Sequence, residues 1–151
     1  MTLSTAQIGR AGELLVQLRL LALGIESAPL TTDTGVDLVA YSPFRTEAVT
    51  IQVKTNLKPK PGGGKGKPAL DWWIAVANPA QYVALVDIST ESVWLLSAAE
   101  RAEAAQQKSS GKYHLYMYTD APVRLKPGKV ARLEDFDRYR IEKRVAKVFG
   151  V

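Results

Sequence analysis

The chain has 151 residues, 46% of them hydrophobic and 23% charged, so it is long enough for one domain with its own core, spanning residues 1–151. It contains no cysteine, which excludes a disulfide framework and a thiolate zinc site. No apolar run approaches the roughly 20 residues of a membrane span, and the N-terminus has no signal-peptide pattern. We therefore expect a cytoplasmic protein that does not enter a membrane.

The first elements predicted from the N-terminus are a helix and a hairpin. Residues 1–24 are typical of a helix, with an apolar stripe at helical spacing that is widened by Leu14 and Leu21. Gly24 stands where a left-handed C-cap belongs. After a short extended segment at 25–30, residues 36–41 and 47–55 have strand patterns, and the connection between them is short enough for an antiparallel hairpin. The stripe of the helix consists of Ile8, Ala11, Leu15, Leu18 and Ala22.

Residues 56–70 are rich in Lys, Pro and Gly and predict a long mobile loop. A nucleotide-binding P-loop is excluded there, because only three residues separate Gly62 from Gly66-Lys67 and Pro68 replaces the required Ser or Thr. With 20 basic against 15 acidic residues in the chain, the formal charge is +5, and part of this excess lies in the loop. Such clusters suit contact with a nucleic-acid backbone, and the loop residues proposed for it are Lys58, Lys60, Lys65 and Lys67.

The remaining patterns predict strands at 72–76, 81–88, 92–96 and 112–119, a helix at 97–107, a segment at 121–128 broken by prolines, and a helical pattern at 133–149. The predicted class is α+β around a mixed sheet. Trp72 and Trp73 must face opposite sides of their strand, with one of them in the core. His114, the single histidine, has no evident partner, so we interpret it as structural.

Three polar residues share one edge of the predicted hairpin. Gln52 and Lys54 lie on one face of their strand, and Asp37 lies on the row opposite Val36 and Leu38 in the preceding strand. A carboxylate, an amide and an ammonium can therefore converge. The alternative, that Asp37 only caps the turn at Gly35 and Lys54 only begins a solvated basic loop, stays open.

The order of these features resembles the PD-(D/E)XK nuclease superfamily, most closely its archaeal Holliday-junction-resolvase-like and Mrr-like restriction endonuclease branches. Gly12-Glu13 lies in a helix that ends at Leu23-Gly24. Asp33-Thr34-Gly35-Val36-Asp37 is similar to the family's Gly-x-Asp strand, and Gln52-Val53-Lys54 to its (Asp/Glu/Gln)-x-Lys strand. The resemblance covers residues 8–55. It implies an α/β/α restriction-endonuclease-like fold, with a central mixed β-sheet flanked by helices.

The resemblance also implies a metal-dependent endonuclease that hydrolyses DNA phosphodiester bonds with Glu13, Asp37, Gln52 and Lys54. Asp37 and Gln52, with Glu13 completing or orienting the site, would hold Mg²⁺ or Mn²⁺ through oxygen atoms. Lys54 would orient the attacking water or offset charge on the scissile phosphate. The implied partners are DNA, branched or modified DNA included, and a second copy of the chain in a homodimer.

Gln52 departs from the commonest family pattern, in which an acid stands at this position. It removes one negative charge and weakens the expected ion binding. The alternative is a catalytically inactive module that keeps the fold and binds nucleic acid or a protein partner.

Overall fold

The computed structural model describes residues 1–32, 34–120 and 131–151, so the segment predicted to be broken at 121–128 lies outside the described residues. The described chain consists mainly of strands, with three α-helices and with 3₁₀ segments at Gly62–Gly64 and Leu133–Tyr139. In chain order the other elements are α1 (Thr5–Ala22), β1 (Glu26–Pro29), β2 (Leu38–Tyr41), β3 (Val49–Asn56), β4 (Lys60–Pro61), β5 (Pro68–Ala75), β6 (Tyr82–Asp87), β7 (Ser92–Ser97), α2 (Ala98–Ala104), β8 (Gln107–Ser109), β9 (Lys112–Tyr118) and α3 (Ile141–Phe149).

Helix α1 begins with a capping box, in which the Ser4 hydroxyl accepts from the Gln7 N–H at 3.2 Å and the Gln7 side chain accepts from the Ser4 N–H at 2.8 Å. The predicted buried stripe is wrong in part, because Leu18 is exposed, as are Leu14 and Leu21. Leucines surround most of this helix, so periodicity alone does not select a face. The buried face is instead the one where a small residue lets the helix approach β3, and it consists of Gly12, Val16 and Leu20.

The central sheet has the order β1-β2-β3-β6-β7 and is mixed, because β3 and β6 are parallel while the other pairs are antiparallel. The predicted hairpin is confirmed, with Leu38 opposite Ile51. Parallel pairing requires a long crossover between β3 and β6, and residues 57–81 supply it. The α+β class with a central mixed sheet is therefore confirmed.

The two faces of the central sheet are covered differently. Helices α1 and α3 pack on one face, where Val16, Leu20, Val145 and Phe149 contact apolar side chains of the strands. A second sheet, with the order β4-β5-β9-β8, covers the other face and encloses a core around Trp72 and the other buried aromatic residues. The sequence analysis did not predict this second sheet.

Part of the Lys/Gly/Pro segment is regular, in contrast to the loop predicted at 56–70. Lys60 and Pro61 pair with Ala69 and Pro68 as a two-residue ladder, and β5 already begins at Pro68. The turn between the strands includes Gly63, whose φ of +61° favours glycine. The mobility of this segment stays a prediction.

The last two predicted helices are shorter in the structure. Helix α2 ends at Ala104, because residues 107–109 pair with β9 in a hairpin. The helical pattern at 133–149 is split at Arg140, whose extended backbone forms an isolated β-bridge with Trp94. The 3₁₀ segment before this bridge therefore cannot continue as an α-helix into α3.

Candidate active site

The hairpin register brings Asp37, Gln52 and Lys54 to one face of the central sheet. Leu38 and Ile51 are paired across β2 and β3, and both are buried against α1 and α3. Side chains alternate along a strand, so Asp37, which precedes Leu38, and Gln52, which follows Ile51, point to the opposite face. Lys54, two residues after Gln52, points to that face as well. These three predicted residues therefore share one face of the central sheet.

The carboxylate of Asp37 is bonded across the hairpin. Its Oδ2 accepts a hydrogen bond of 2.7 Å from the backbone N–H of Val53, the residue between Gln52 and Lys54. The backbone N–H of Asp37 donates to the Ile51 carbonyl at 2.9 Å. Asp37 is thus fixed against the strand that carries the other two polar residues, and it does more than cap the turn before β2.

Gln52 is held by a residue that the sequence analysis treated only as part of a turn. The side-chain amide of Asn78 donates to Oε1 of Gln52, and Oδ1 of Asn78 accepts from the Ala80 N–H at 2.8 Å. Asn78 lies in the connection that leads into β6, the parallel neighbour of β3. This position before β6 is the signal in the sequence that could have identified Asn78 as a partner of Gln52. Gly35, with a φ of +83°, leaves room for Pro79 beside the turn that leads to Asp37.

Lys54 is half-buried on the same face as Gln52, beside Leu85 of β6. No hydrogen bond or ion pair holds its ammonium within residues 1–32, 34–120 and 131–151. The next side chain on this face is that of Asn56, which donates to the Asp71 carbonyl of β5 at 2.7 Å. The strand around Lys54 is therefore anchored, while the ammonium is available to a ligand.

Glu13 lies on the other side of the central sheet from these residues, in α1. It follows Gly12, the glycine at which α1 comes closest to β3. Its carboxylate is paired with Arg10, at 2.8 Å between Nη1 and Oε2. Within the described part of the chain, no hydrogen bond or ion pair joins Glu13 to Asp37, Gln52 or Lys54. The structure does not bring Glu13 into contact with the other predicted site residues.

The residues at this face offer a cation only oxygen donors. The described residues contain no group of three or more His, Cys, Asp or Glu side chains that could hold a metal ion. Among the described residues, the donors at this face are the Asp37 carboxylate, which is bonded to the Val53 N–H, and the neutral oxygens of the Gln52 amide and the Val53 carbonyl. Mg²⁺ prefers oxygen ligands and is usually bound by one or two protein carboxylates, with water and substrate phosphate completing its shell. The donor set therefore fits a divalent ion, although it carries only the one negative charge of Asp37.

The predicted basic residues of the crossover are exposed, and they follow directly from the strand that carries Lys54. These are Lys58, Lys60, Lys65 and Lys67. A second group of basic residues lies near the C-terminus, at Arg138, Arg140, Lys143, Arg144 and Lys147, and it is different. Arg144 binds Glu100 through both carboxylate oxygens, at 2.7 and 2.8 Å, and Arg140 and Lys143 both bind Asp137. Part of that cluster therefore serves the fold.

Trp72 and Trp73 face opposite sides of β5, as predicted. Trp72 is buried and packs edge-on against Trp94, with 6.0 Å between ring centroids. Trp73 is exposed and stacks on His114. His114 has partners that the sequence analysis missed, because Asp71 is 43 residues away in the chain and reaches it only through the pairing of β5 with β9.

No helix among the described residues is long and apolar enough to cross a membrane. The cytoplasmic location stays a prediction.

No protein-family model and no curated protein matches the chain. Solved structures do match it. A bacterial homing endonuclease, I-Ssp6803I, superposes with a TM-score of 0.65 and 15% identity, covering 99% of this chain and 94% of that one. Hjc, a Holliday junction resolvase from the archaeal hyperthermophile Archaeoglobus fulgidus, superposes with a TM-score of 0.54 and 14% identity, covering 94% of this chain and 95% of that one. The chain therefore has the restriction-endonuclease-like fold.

Proposed function

We propose that this protein is a metal-dependent endonuclease that hydrolyses DNA phosphodiester bonds. The observation that carries the proposal is the convergence of Asp37, Gln52 and Lys54 on one sheet face, with the Asp37 carboxylate bonded to the Val53 N–H at 2.7 Å. This is the arrangement of an acid strand and a Gln-x-Lys strand that the PD-(D/E)XK resemblance implies. The two structural neighbours are by name nucleases, which supports the same class of substrate.

Each residue has a role that its environment permits. Asp37 and Gln52 would hold Mg²⁺ or Mn²⁺ through their side-chain oxygens, with the Val53 carbonyl beside them. A bound divalent ion supplies Lewis-acid polarisation of the phosphoryl group and a lowered pKa for water. Lys54 places a point charge on the same face, where it orients the attacking water and offsets charge on the scissile phosphate. Glu13 is paired with Arg10 on α1, so its role in completing or orienting the site stays a prediction.

The substrate is DNA, and branched DNA is the first form to examine, because one structural neighbour is a Holliday junction resolvase. The exposed lysines of the crossover follow β3 away from Lys54 and can accompany a phosphate backbone to the site. These interactions do not depend on base sequence, so they provide affinity without base specificity.

A second function is favoured by the state of two of the proposed site residues. Gln52 contributes no charge, and its oxygen accepts from Asn78, while Glu13 is paired with Arg10. These interactions favour a catalytically inactive nuclease-fold module that binds nucleic acid or a protein partner. Such a module would bind DNA with strong salt dependence and would not respond to the divalent ion.

A cleavage assay on supercoiled, linear and four-way-junction DNA with Mg²⁺ or Mn²⁺ separates the two functions. Asp37→Asn and Lys54→Met are compared with Glu103→Gln and Lys147→Met, which change the same charges at exposed positions of α2 and α3. We expect ion-dependent cutting that falls by at least about 100-fold in the first pair and is unchanged in the second. Salt-sensitive binding by the parent without any cutting would establish the inactive module instead.

A homodimer stays a prediction. Val145, Val148 and Phe149 of the last helix are buried in the core, so their side chains are not part of an exposed apolar face. The exposed leucines of α1 are the alternative apolar face. Sedimentation of the parent as a monomer at all concentrations would contradict the dimer.

A further inference from the structure

The outer face of the second sheet carries a pocket that is separate from the proposed active site. Its volume is about 710 Å³, and it is lined by side chains of β5, β8 and β9 and by the turn that follows β4. Leu70, Trp72 and Leu115 point from the same sheet into the core, so the pocket lies on the side away from the central sheet. The lining residues that matter here are Lys60, Asp71, Gln107, His114, Tyr116 and Tyr118.

A continuous run of aromatic rings forms the floor of this pocket and its border. Trp73 and His114 are stacked with 4.0 Å between centroids and 2° between planes. Tyr116 lies 5.4 Å from His114, and Tyr118 lies 5.5 Å from Tyr116 in an edge-on arrangement. These residues come from two neighbouring strands, in which every second side chain faces outward. Trp73 is 43% exposed although it is stacked, so a large aromatic surface remains accessible.

The imidazole of His114 is held in place from both sides. Its Nε2 lies 3.0 Å from Oδ2 of Asp71, and its Nδ1 lies 3.4 Å from Oε1 of Gln107. The contact with Asp71 and the stacking on Trp73 fix the plane of the ring. The aromatic surface is therefore pre-organised, and this lowers the entropy cost of binding a flat ligand.

The charge around the pocket is basic. Lys60 lines it, and Lys65, Lys67 and Lys112 are exposed on the neighbouring turn and strand. Asp71 is the acidic residue of the lining, and its carboxylate is engaged with His114. An aromatic floor beside cationic side chains matches a ligand that has a flat ring joined to a phosphate.

We propose that this pocket binds an unpaired base of single-stranded DNA, packed against the rings of His114, Tyr116 and Tyr118 with Trp73 at the border, and with the adjoining phosphate at Lys60. Aromatic side chains bind bases with little sequence preference, because every base has a π-face. The volume lies within the range of roughly 300–1,000 Å³ that is usual for ligand pockets. The choice of DNA as the polymer rests on the proposed function, whereas the stacking geometry does not.

Fluorescence anisotropy with a labelled 12-residue oligothymidylate tests this proposal. The comparison strand has the same length and abasic sugars, so it keeps every phosphate and has no bases. The variants are Trp73→Ala and Tyr118→Ala. Phe44→Ala, which removes an aromatic ring that is 82% exposed and outside the pocket, is the matched control. The near-ultraviolet circular dichroism of the Trp72–Trp94 pair reports whether each variant is folded.

We expect the parent to bind the oligothymidylate at least about 10-fold more tightly than the abasic strand, and each pocket variant to bind it roughly 5- to 100-fold more weakly than the parent. The variants should bind the abasic strand as the parent does, and Phe44→Ala should behave as the parent on both strands. Equal affinity of the parent for both strands, or unchanged affinity in folded Trp73→Ala, overturns the proposal.

The failure of this proposal can be told apart from the failure of the proposed function. All binding is measured without a divalent ion, in the parent and in Asp37→Asn. Base-dependent binding by a protein that cuts no DNA would support the proposed pocket and contradict the proposed endonuclease activity. Ion-dependent cutting by a protein that binds both strands equally would contradict the proposed base-binding pocket and support the proposed endonuclease activity.

Discussion

The close approach of Gly12 to β3 allows a direct test of how α1 packs on the central sheet. A Cβ added at Gly12 would lie 1.9 Å from Oγ1, 2.8 Å from Cγ2 and 2.9 Å from Cβ of Thr55. These distances are too short for real van der Waals neighbours, so Gly12→Ala must move the helix away from the strand. Overpacking of this kind costs about 1–3 kcal/mol, and alanine recovers about 1 kcal/mol through its higher helix propensity. We therefore expect the free energy of unfolding to fall by a net amount of up to about 2 kcal/mol.

Three further variants isolate this close approach. Gly9→Ala changes the same residue type one turn earlier, where nothing lies within 4 Å of the added Cβ, so it should stabilise by up to about 1 kcal/mol. Thr55→Ala removes the two closest atoms. The Thr55 hydroxyl is buried and has no hydrogen-bond partner among the described residues, so its removal breaks no bond. The double variant Gly12→Ala/Thr55→Ala should therefore recover at least about 1 kcal/mol relative to additivity.

Urea unfolding followed by tryptophan fluorescence measures the parent and all four variants, because Trp72 and Trp94 are buried and report on the core. A Gly12→Ala protein as stable as Gly9→Ala would refute the close approach. So would a double variant that shows only the sum of its single effects.

Three other predictions concern charge. Burial alone would raise the pKa of the Glu100 carboxyl, but the Ser97 N–H and the Arg144 guanidinium outweigh burial and lower the pKa below its ordinary 4.5. The pair therefore stabilises the fold above about pH 4.5, and this stabilisation is lost as the pH falls through the lowered pKa. In urea unfolding at pH 7, Glu100→Gln should lower the free energy of unfolding by about 2 kcal/mol, and it should weaken the fall of that free energy at acid pH. The exposed control Glu103→Gln should do neither. Gln52→Glu restores the commoner acid and should tighten Mn²⁺ binding by about 10-fold or more in calorimetry, and unchanged affinity would remove Gln52 from the ion's ligands. Replacing Lys58, Lys60, Lys65 and Lys67 by alanine should reduce the slope of log K against log salt by about 0.9 for each duplex phosphate that these lysines neutralise, and an unchanged slope would show that the crossover does not touch the DNA backbone.

The sequence predicted the hairpin and its three polar residues because both depend on local rules. Alternation along a strand, together with a short connection, determines which side chains share a face, and this was enough for Asp37, Gln52 and Lys54. The buried face of α1 was not predictable in the same way. Its leucines surround the helix, and the choice of face depends on the fit of Gly12 against Thr55, a residue 43 positions later in the chain.

The parts that the sequence did not predict depend on pairing between distant segments. The strands at 72–76 and 112–119 were both expected, yet nothing in either segment shows that they pair with each other in a second sheet. The partners of His114 and Gln52 follow from that pairing and from the parallel pairing of β3 with β6. A histidine without a neighbouring acid in the sequence was therefore interpreted as structural, although the fold gives it Asp71.

Asp71 connects the two proposed sites through a single residue of a paired strand. Its carbonyl accepts from Asn56, which follows Lys54 on the face of the proposed active site, at 2.7 Å. Its carboxylate lies 3.0 Å from His114 in the pocket on the opposite side of β5. The carbonyl and the carboxylate of Asp71 belong to one residue of β5, which is paired in the second sheet. The packing of the two sheets therefore fixes the distance between Lys54 and the aromatic floor of the pocket. The exposed lysines of the crossover lie at the β4 edge of the second sheet, which is one path by which a strand of DNA could reach both sites. The basic segment is thus placed where one continuous nucleic-acid strand would need it.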